Sequence, residues 1–204
     1  MIPDVRDGTQ VTPLASGGSA APGRRRRRSM RLPVVLWAAA AVGCTLLPAH
    51  SRRIPGQDVR YEPTPLPVVR AMLELAQVGP HDVVMDLGSG DGRIAIMAAR
   101  EFGARAIGIE IDPALVAVAR SNARAAGVAA RVRFLAGDMY TADLGDASVV
   151  TLFLHPGPNR KLRARLRAAL APGARVVSYM WDMGDWKPHD TRRIGRRRIY
   201  LWRL

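Results

Sequence analysis

The chain lacks most of what staples or metallates a small protein. Its 204 residues include one cysteine, Cys44, so no disulfide framework can form within it and no thiolate cluster is indicated. The four histidines, at positions 50, 81, 155 and 189, are scattered and show no ligand spacing, so no metal site is expected. Lysine is scarce: two of the 31 basic residues are Lys and the rest Arg. With alanine abundant, that bias reads as base composition as much as selection for a partner. No internal repeat is present. A fifth absence concerns a glycine. The glycines at 88, 90 and 92 spell G-x-G-x-G, and the third glycine of a dinucleotide G-x-G-x-x-G would fall at Arg93.

What stands around those glycines is more informative. Val83-Val84-Met85-Asp86-Leu87 reads as a buried strand that runs into a glycine turn and then a helix from Arg93. A parallel sheet uses this arrangement to hold an adenosyl-type ligand at the carboxyl end of its first strand. Asp86 lies two positions before the first glycine. A carboxylate there is awkward for a pyrophosphate and suits an ammonium. S-adenosylmethionine (SAM) carries that ammonium, a sulfonium and no phosphate. A second strand, 106–111, places Glu110 at its carboxyl end, 22 positions after Gly88. An acidic residue about 20 positions past such a turn commonly takes the ribose hydroxyls. Asp112-Pro113 then opens a helix, Asp as N-cap and Pro at its first position.

The rest of the chain divides near residue 60. Residues 1–29 are rich in Gly, Pro, Ser and Arg without apolar periodicity and read as a disordered basic tail. Residues 30–51 hold Leu32–Ala49, 18 residues without a charge, preceded by Arg24–Arg28 and Arg31. This segment suits either a membrane anchor or a cleaved signal peptide. Met30 is an alternative start. Residues 52–60 are a linker, and 61–204 form the folded domain. The arginines ahead of the apolar segment argue for a domain outside the cytoplasm, whereas SAM is made in the cytosol; a membrane-associated, cytoplasmic domain is the expectation adopted.

The formal net charge is +14. Nine arginines against three aspartates in residues 1–59 account for +6 of it. The folded part carries the remainder, chiefly in Arg160–Arg167 and Arg192–Arg198. The first cluster has leucines at 162 and 166 and reads as an ordinary solvated helix face. An acidic partner such as phospholipid or RNA stays open as the second reading.

From Tyr61 onward strands and helices alternate. Tyr61-Glu62-Pro63-Thr64-Pro65 is extended. A helix with Val68, Val69, Met72, Leu75 and Ala76 on one face follows and stops at Gly79-Pro80. Further strands are expected at 132–136, 148–154 and 174–179, and a helix over about 160–170. The last strand, 198–202, has no helix before it and is expected to return antiparallel. The fold class is therefore α/β: a doubly wound, mostly parallel Rossmann-like sheet with an antiparallel last strand.

The turn, Glu110 and Gly137-Asp138 together resemble class I SAM-dependent methyltransferases over residues 61–204. Three further stretches narrow the likeness: Tyr61–Pro65, Asn159–Leu166 and Asp182-Met183-Gly184-Asp185-Trp186-Lys187-Pro188. They are similar to the membrane-anchored lysine methyltransferases of the ATP synthase c-subunit and the adenine nucleotide translocase, and to their bacterial relatives. The resemblance implies that Asp86, Gly88, Ser89, Gly90, Asp91 and Gly92 surround the methionine end of SAM. It implies that Glu110 takes the ribose, that Asp138 and Met139 flank the adenine, and that Tyr61 and Thr64 close over the cofactor. The chain departs from the pattern at Phe153-Leu154-His155-Pro156-Gly157 and in the basic turn before the last strand.

A lysine acceptor must lose a proton before it can attack. His155, after the fourth strand, and Asp182, after the fifth, are the candidates for accepting or orienting it. Trp181 and Trp186 are candidates for an aromatic wall. A monomer with a protein substrate is expected. No Asn-Pro-Pro-Tyr-type motif follows the fourth strand, which argues against methylation of base or glutamine amino groups. Methylation of RNA or of a small molecule, and SAM binding without catalysis, stay open as alternatives.

Overall fold

The computed structural model describes residue 58 and residues 60–204. The basic tail, the apolar segment 32–49 with its anchor or signal reading, and Met30 lie outside the described residues. Among the described residues no helix is long and apolar enough to cross a membrane.

Among the described residues four helices and seven strands follow one another: α1 (Leu66–Leu75), β1 (Val83–Leu87), α2 (Arg93–Phe102), β2 (Arg105–Glu110), α3 (Pro113–Ala125), β3 (Val132–Ala136), β4 (Val149–Leu152), α4 (Pro156–Ala169), β5 (Arg175–Tyr179), β6 (Asp190–Ile194) and β7 (Arg197–Arg203). One sheet holds all the strands in the order β3-β2-β1-β4-β5-β7-β6. β1 to β5 are parallel, and β7 returns antiparallel against β5 with β6 as an outer edge. The chain order reverses between β1 and β4, and at such a switch point the strand ends leave a crevice for a ligand.

Strand side chains alternate between the faces. Val84, Val149, Val177 and Leu201 pack with α1, α2 and α3, whereas Met85, Val150, Val176 and Trp202 pack with Leu162 and Leu166 of α4. With both faces covered, β1 is buried at every position. A polar tie closes the other end of the sheet. Asp82 accepts from Gly79 N (2.8 Å), Ser148 Oγ (2.7 Å) and Arg175, whose guanidinium also donates to Ala76 O. Burial alone would raise the Asp82 carboxyl, but these donors outweigh it and hold it below the usual range.

Three expectations are corrected here. The helix expected from residue 160 begins at Pro156, with proline at its first position where a missing N–H costs nothing. Its basic face is also only partly solvated: Arg163 donates to Met183 O (3.1 Å) and pairs with Asp185, and Arg165 donates to Met139 O (3.3 Å) and Ala142 O. The stretch expected as a basic turn contains β6, whose five residues are exposed or nearly so.

Candidate functional site

The carboxyl ends of β1, β2 and β4 open into a cavity of about 780 Å³. Six carboxylates line it: Asp58, Glu62, Asp86, Asp91, Glu110 and Asp138, against two cations, Arg60 and Arg93. In a chain of net charge +14 this is a local inversion of sign. It favours a cationic ligand.

The glycine turn forms one wall. Gly88 N and Ser89 N both donate to Ile109 O at 2.9 Å, Gly90 N to Glu110 Oε2 at 2.8 Å, and Gly92 N to Ser89 O at 2.9 Å. The N–H groups that cradle phosphates in nucleotide-binding turns are therefore already used. Gly90 has φ +53°, and a Cβ there would lie 2.4 Å from Cε2 of Tyr61, whose ring lies across the turn. Arg93 fixes this roof. It grips Asp91 through Nε (2.9 Å) and NH2 (2.6 Å) and donates through NH1 to Thr64 O (2.9 Å). Burial works against ionisation of Asp91, yet the Arg93 pair overrides it and keeps the carboxyl low. Burial first, and then the neighbouring Asp91, raise the Tyr61 hydroxyl.

The floor is Asp86, 2 % exposed. The parallel register sets it beside Thr151, whose hydroxyl donates to Oδ1 at 2.7 Å. Burial pushes the Asp86 carboxyl up to about 7; Thr151 partly offsets this, and the charges of Glu110 and Asp91 add to it. Asp86 Oδ2 and the Ser89 hydroxyl are buried without a hydrogen-bond partner. An orphaned buried carboxylate oxygen costs free energy unless a ligand donor reaches it. Glu110, also buried, accepts from Gly90 N and from Asp112 N (3.0 Å), which fixes both of its oxygens at the cavity edge.

Tyr61, Thr64, Asp86, Gly88, Ser89, Gly90, Asp91, Glu110, Asp138 and Met139 all line this one cavity. Gly92 does not. A Cβ on it would meet Phe134 at 2.4 Å and Ala119 at 2.9 Å, so its role is to seat α2 against β3 and α3. His155 is exposed and lines a neighbouring side cavity. Asp182 lines neither cavity: it is exposed, and its Oδ1 accepts from Gly184 N (3.0 Å), closing a local turn.

Sequence reasoning missed three residues. Thr151 was hidden in an apolar run, and strand pairing with Asp86 was the signal that could have found it. Arg93 had been noted only for not being glycine. Asn159 is fully buried and donates to Ser178 Oγ (3.1 Å), Trp181 O (3.0 Å) and Asp182 O (3.2 Å), which pins the loop after β5.

A profile of the ANTKMT methyltransferase domain matches residues 86–190, from the cavity floor to the start of β6. The chain belongs to this family. It is a SAM-dependent methyltransferase, and the orphaned Asp86 oxygen and phosphate-averse turn fit SAM as its methyl donor. Among relatives of this family member, the protein-lysine N-methyltransferase of Saccharolobus islandicus is 41% identical over 67% of this chain and 85% of that one. The adenine nucleotide translocase lysine N-methyltransferase of Mus musculus is 35% identical over 87% of this chain and 80% of its own length. A crystal structure described as an RNA methyltransferase from Salinibacter ruber, in complex with S-adenosyl-L-homocysteine (SAH), is 55% identical. It superposes with a TM-score of 0.69, covering 70% of this chain and 94% of that one.

Proposed function

We propose that this family member transfers methyl groups to lysine side chains of protein. The observation that carries the reading is the likeness to two lysine methyltransferases, each matched over four-fifths or more of its length. The acidic cavity supports it, since an ammonium is drawn toward such walls and a phosphodiester is repelled.

In this reading Asp86 holds the ammonium of SAM, with Gly88, Ser89, Gly90 and Asp91 around the methionine end. Glu110 takes the ribose hydroxyls, and Asp138 and Met139 flank the adenine. Tyr61 and Thr64, tied down by Arg93, roof the cofactor and exclude water. Bound SAM supplies an electrophilic methyl group on a sulfonium. The chain's part is alignment and desolvation. His155, which lines the side cavity, takes the proton that the acceptor ammonium must shed. Attachment to a membrane through residues 32–49 belongs to the same proposal, and fractionation of the full chain against a chain starting at residue 52 tests it.

The description of the Salinibacter ruber structure as an RNA methyltransferase favours a second reading, methylation of RNA. The exposed arginines of β6 and β7 would suit it. Incubating the full chain with methyl-labelled SAM and cell extract separates the two. Label released by protease and recovered as methyllysine is expected; label that survives protease and yields to RNase would overturn the lysine reading.

A further inference from the structure

The cofactor cavity has a neighbour. A second cavity of about 310 Å³ is lined by Arg60, Glu62, Phe153, Leu154, His155, Met180 and Trp181, and shares the first four with it. Those four residues line both spaces.

Its walls are aromatic and held in place. Phe153 stacks at a tilt on Tyr179, ring centroids 4.8 Å apart, and Trp181 faces His155 at 6.1 Å. Met180, just before Trp181, has φ +68°, a left-handed conformation that is costly for a residue with a Cβ. Its N–H donates to Arg198 O (2.8 Å), anchoring it to β7. Trp181 O accepts from Ser178 Oγ (2.7 Å) and from Asn159, and Trp181 N donates to Tyr179 O (2.9 Å). Backbone strain held by this many bonds points to a wall whose position matters. Glu62 is the one carboxylate among the described residues of this lining. It is exposed and makes no hydrogen bond or ion pair with another described residue.

We propose that this side cavity admits the methyl acceptor as an alkylammonium side chain. Its methylenes lie between Phe153 and Trp181, and Glu62 steers its nitrogen past Leu154 toward the cofactor cavity. The inference rests on the lysine reading above and names the part of the site that performs it. Faces of Phe and Trp attract an ammonium, and a carboxylate that lines both spaces gives it direction. The ammonium first gives one proton to His155. The nitrogen lone pair then forms the bond to the methyl carbon while the carbon–sulfur bonding pair returns to sulfur as a thioether.

The probe is n-butyltrimethylammonium, titrated calorimetrically into the full chain saturated with SAH. Saturation removes any effect on cofactor affinity. Saturable binding is expected, weakened about tenfold or more in both Glu62→Gln and Trp181→Ala. Both substitutions fall at partly or fully exposed side chains, and thermal melting checks that the variants are folded. Wild-type protein that does not bind the probe, or variants that bind it as wild type does, would overturn the assignment. A labelling arm keeps the two claims apart. Probe binding that weakens in the variants, together with label found only in RNA, would keep the cavity as an alkylammonium site and remove lysine as its occupant. Methyllysine formed equally by wild type and variants would do the reverse.

Discussion

Lowering the pH from about 7.5 to about 5.5 titrates Asp86, and the affinity for SAH should follow it. Its carboxyl is pushed up to about 7 by burial, with Thr151 opposing and Glu110 and Asp91 assisting. An ammonium docking on Oδ2 requires the ionised form. With that value, the ionised fraction falls from about three-quarters to about one-thirtieth over this range, which weakens binding about 25-fold, or about 2 kcal/mol. The ligand ammonium, with a reference value near 8, stays mostly charged throughout and trims the effect slightly. The sign is fixed by linkage: below about 7 the protein must release a proton to bind. Calorimetry in two buffers of different ionisation enthalpy counts that proton directly. In Asp86→Asn the slope should vanish, and affinity at the upper pH should drop by roughly ten- to a hundredfold with the charge-assisted bond. Thr151→Val should keep the slope and move its midpoint upward, since the hydroxyl that favours the carboxylate is gone. A wild-type affinity flat from about 7.5 to 5.5, or a slope that persists in Asp86→Asn, would refute the assignment of Asp86. The same shift predicts that the ligand-free protein loses stability as pH rises from about 4 to about 7, because the folded state holds this proton more tightly.

Arg175→Met strands the Asp82 carboxylate in a largely buried site and should cost about 3 kcal/mol in chemical denaturation; a loss under about 1 kcal/mol would contradict the tie drawn between α1, β1 and β5. Because Asp82 titrates below its usual range, that stabilisation is full at neutral pH and disappears only as pH falls through the lowered value, so acid unfolding should start later in wild type than in the variant. Gly90→Ala places a Cβ 2.4 Å from Tyr61 and should abolish SAH binding while leaving far-ultraviolet circular dichroism unchanged. Gly108→Ala acts on packing instead: its Cβ would lie 2.5 Å from Phe134 Cδ1 and 2.6 Å from Ser89 Oγ. Thermal melting should report a loss of about 1–3 kcal/mol, partly relieved by Phe134→Leu.

The parallel half of the sheet was legible because its strands are short apolar runs punctuated by glycine or proline, and Asp86 and Glu110 stand where those runs end. The cavity inherits that clarity, for its floor and edge are strand termini. Legibility failed where long-range pairing decides the outcome. Thr151 matters only because the β1–β4 register sets it against Asp86. β6 has no apolar alternation to announce it, since an outer edge strand need not bury a face. Pro156-Gly157-Pro158 reads as a turn in isolation, yet proline is favoured in a first helical turn, and the helix starts there. Gly92 belongs to the cofactor fingerprint by sequence, and the structure adds that Phe134 and Ala119 leave no room for a Cβ there. Asp182 stands after β5, and its local bond from Gly184 N depends on a turn that the residue pattern did not announce.

Adenosine is the half of SAM that ATP and NAD also carry, so recognition of ribose and adenine cannot tell these molecules apart. The discrimination falls to the tail. By committing the N–H groups of residues 88, 89 and 90 to the end of β2, the turn withdraws the donors a polyphosphate would need. The carboxylates beyond it meet a phosphate chain with like charge. A methyl donor can thus be selected from a crowd of more abundant adenosine compounds without a dedicated filter. Excess ATP should leave SAH binding nearly untouched.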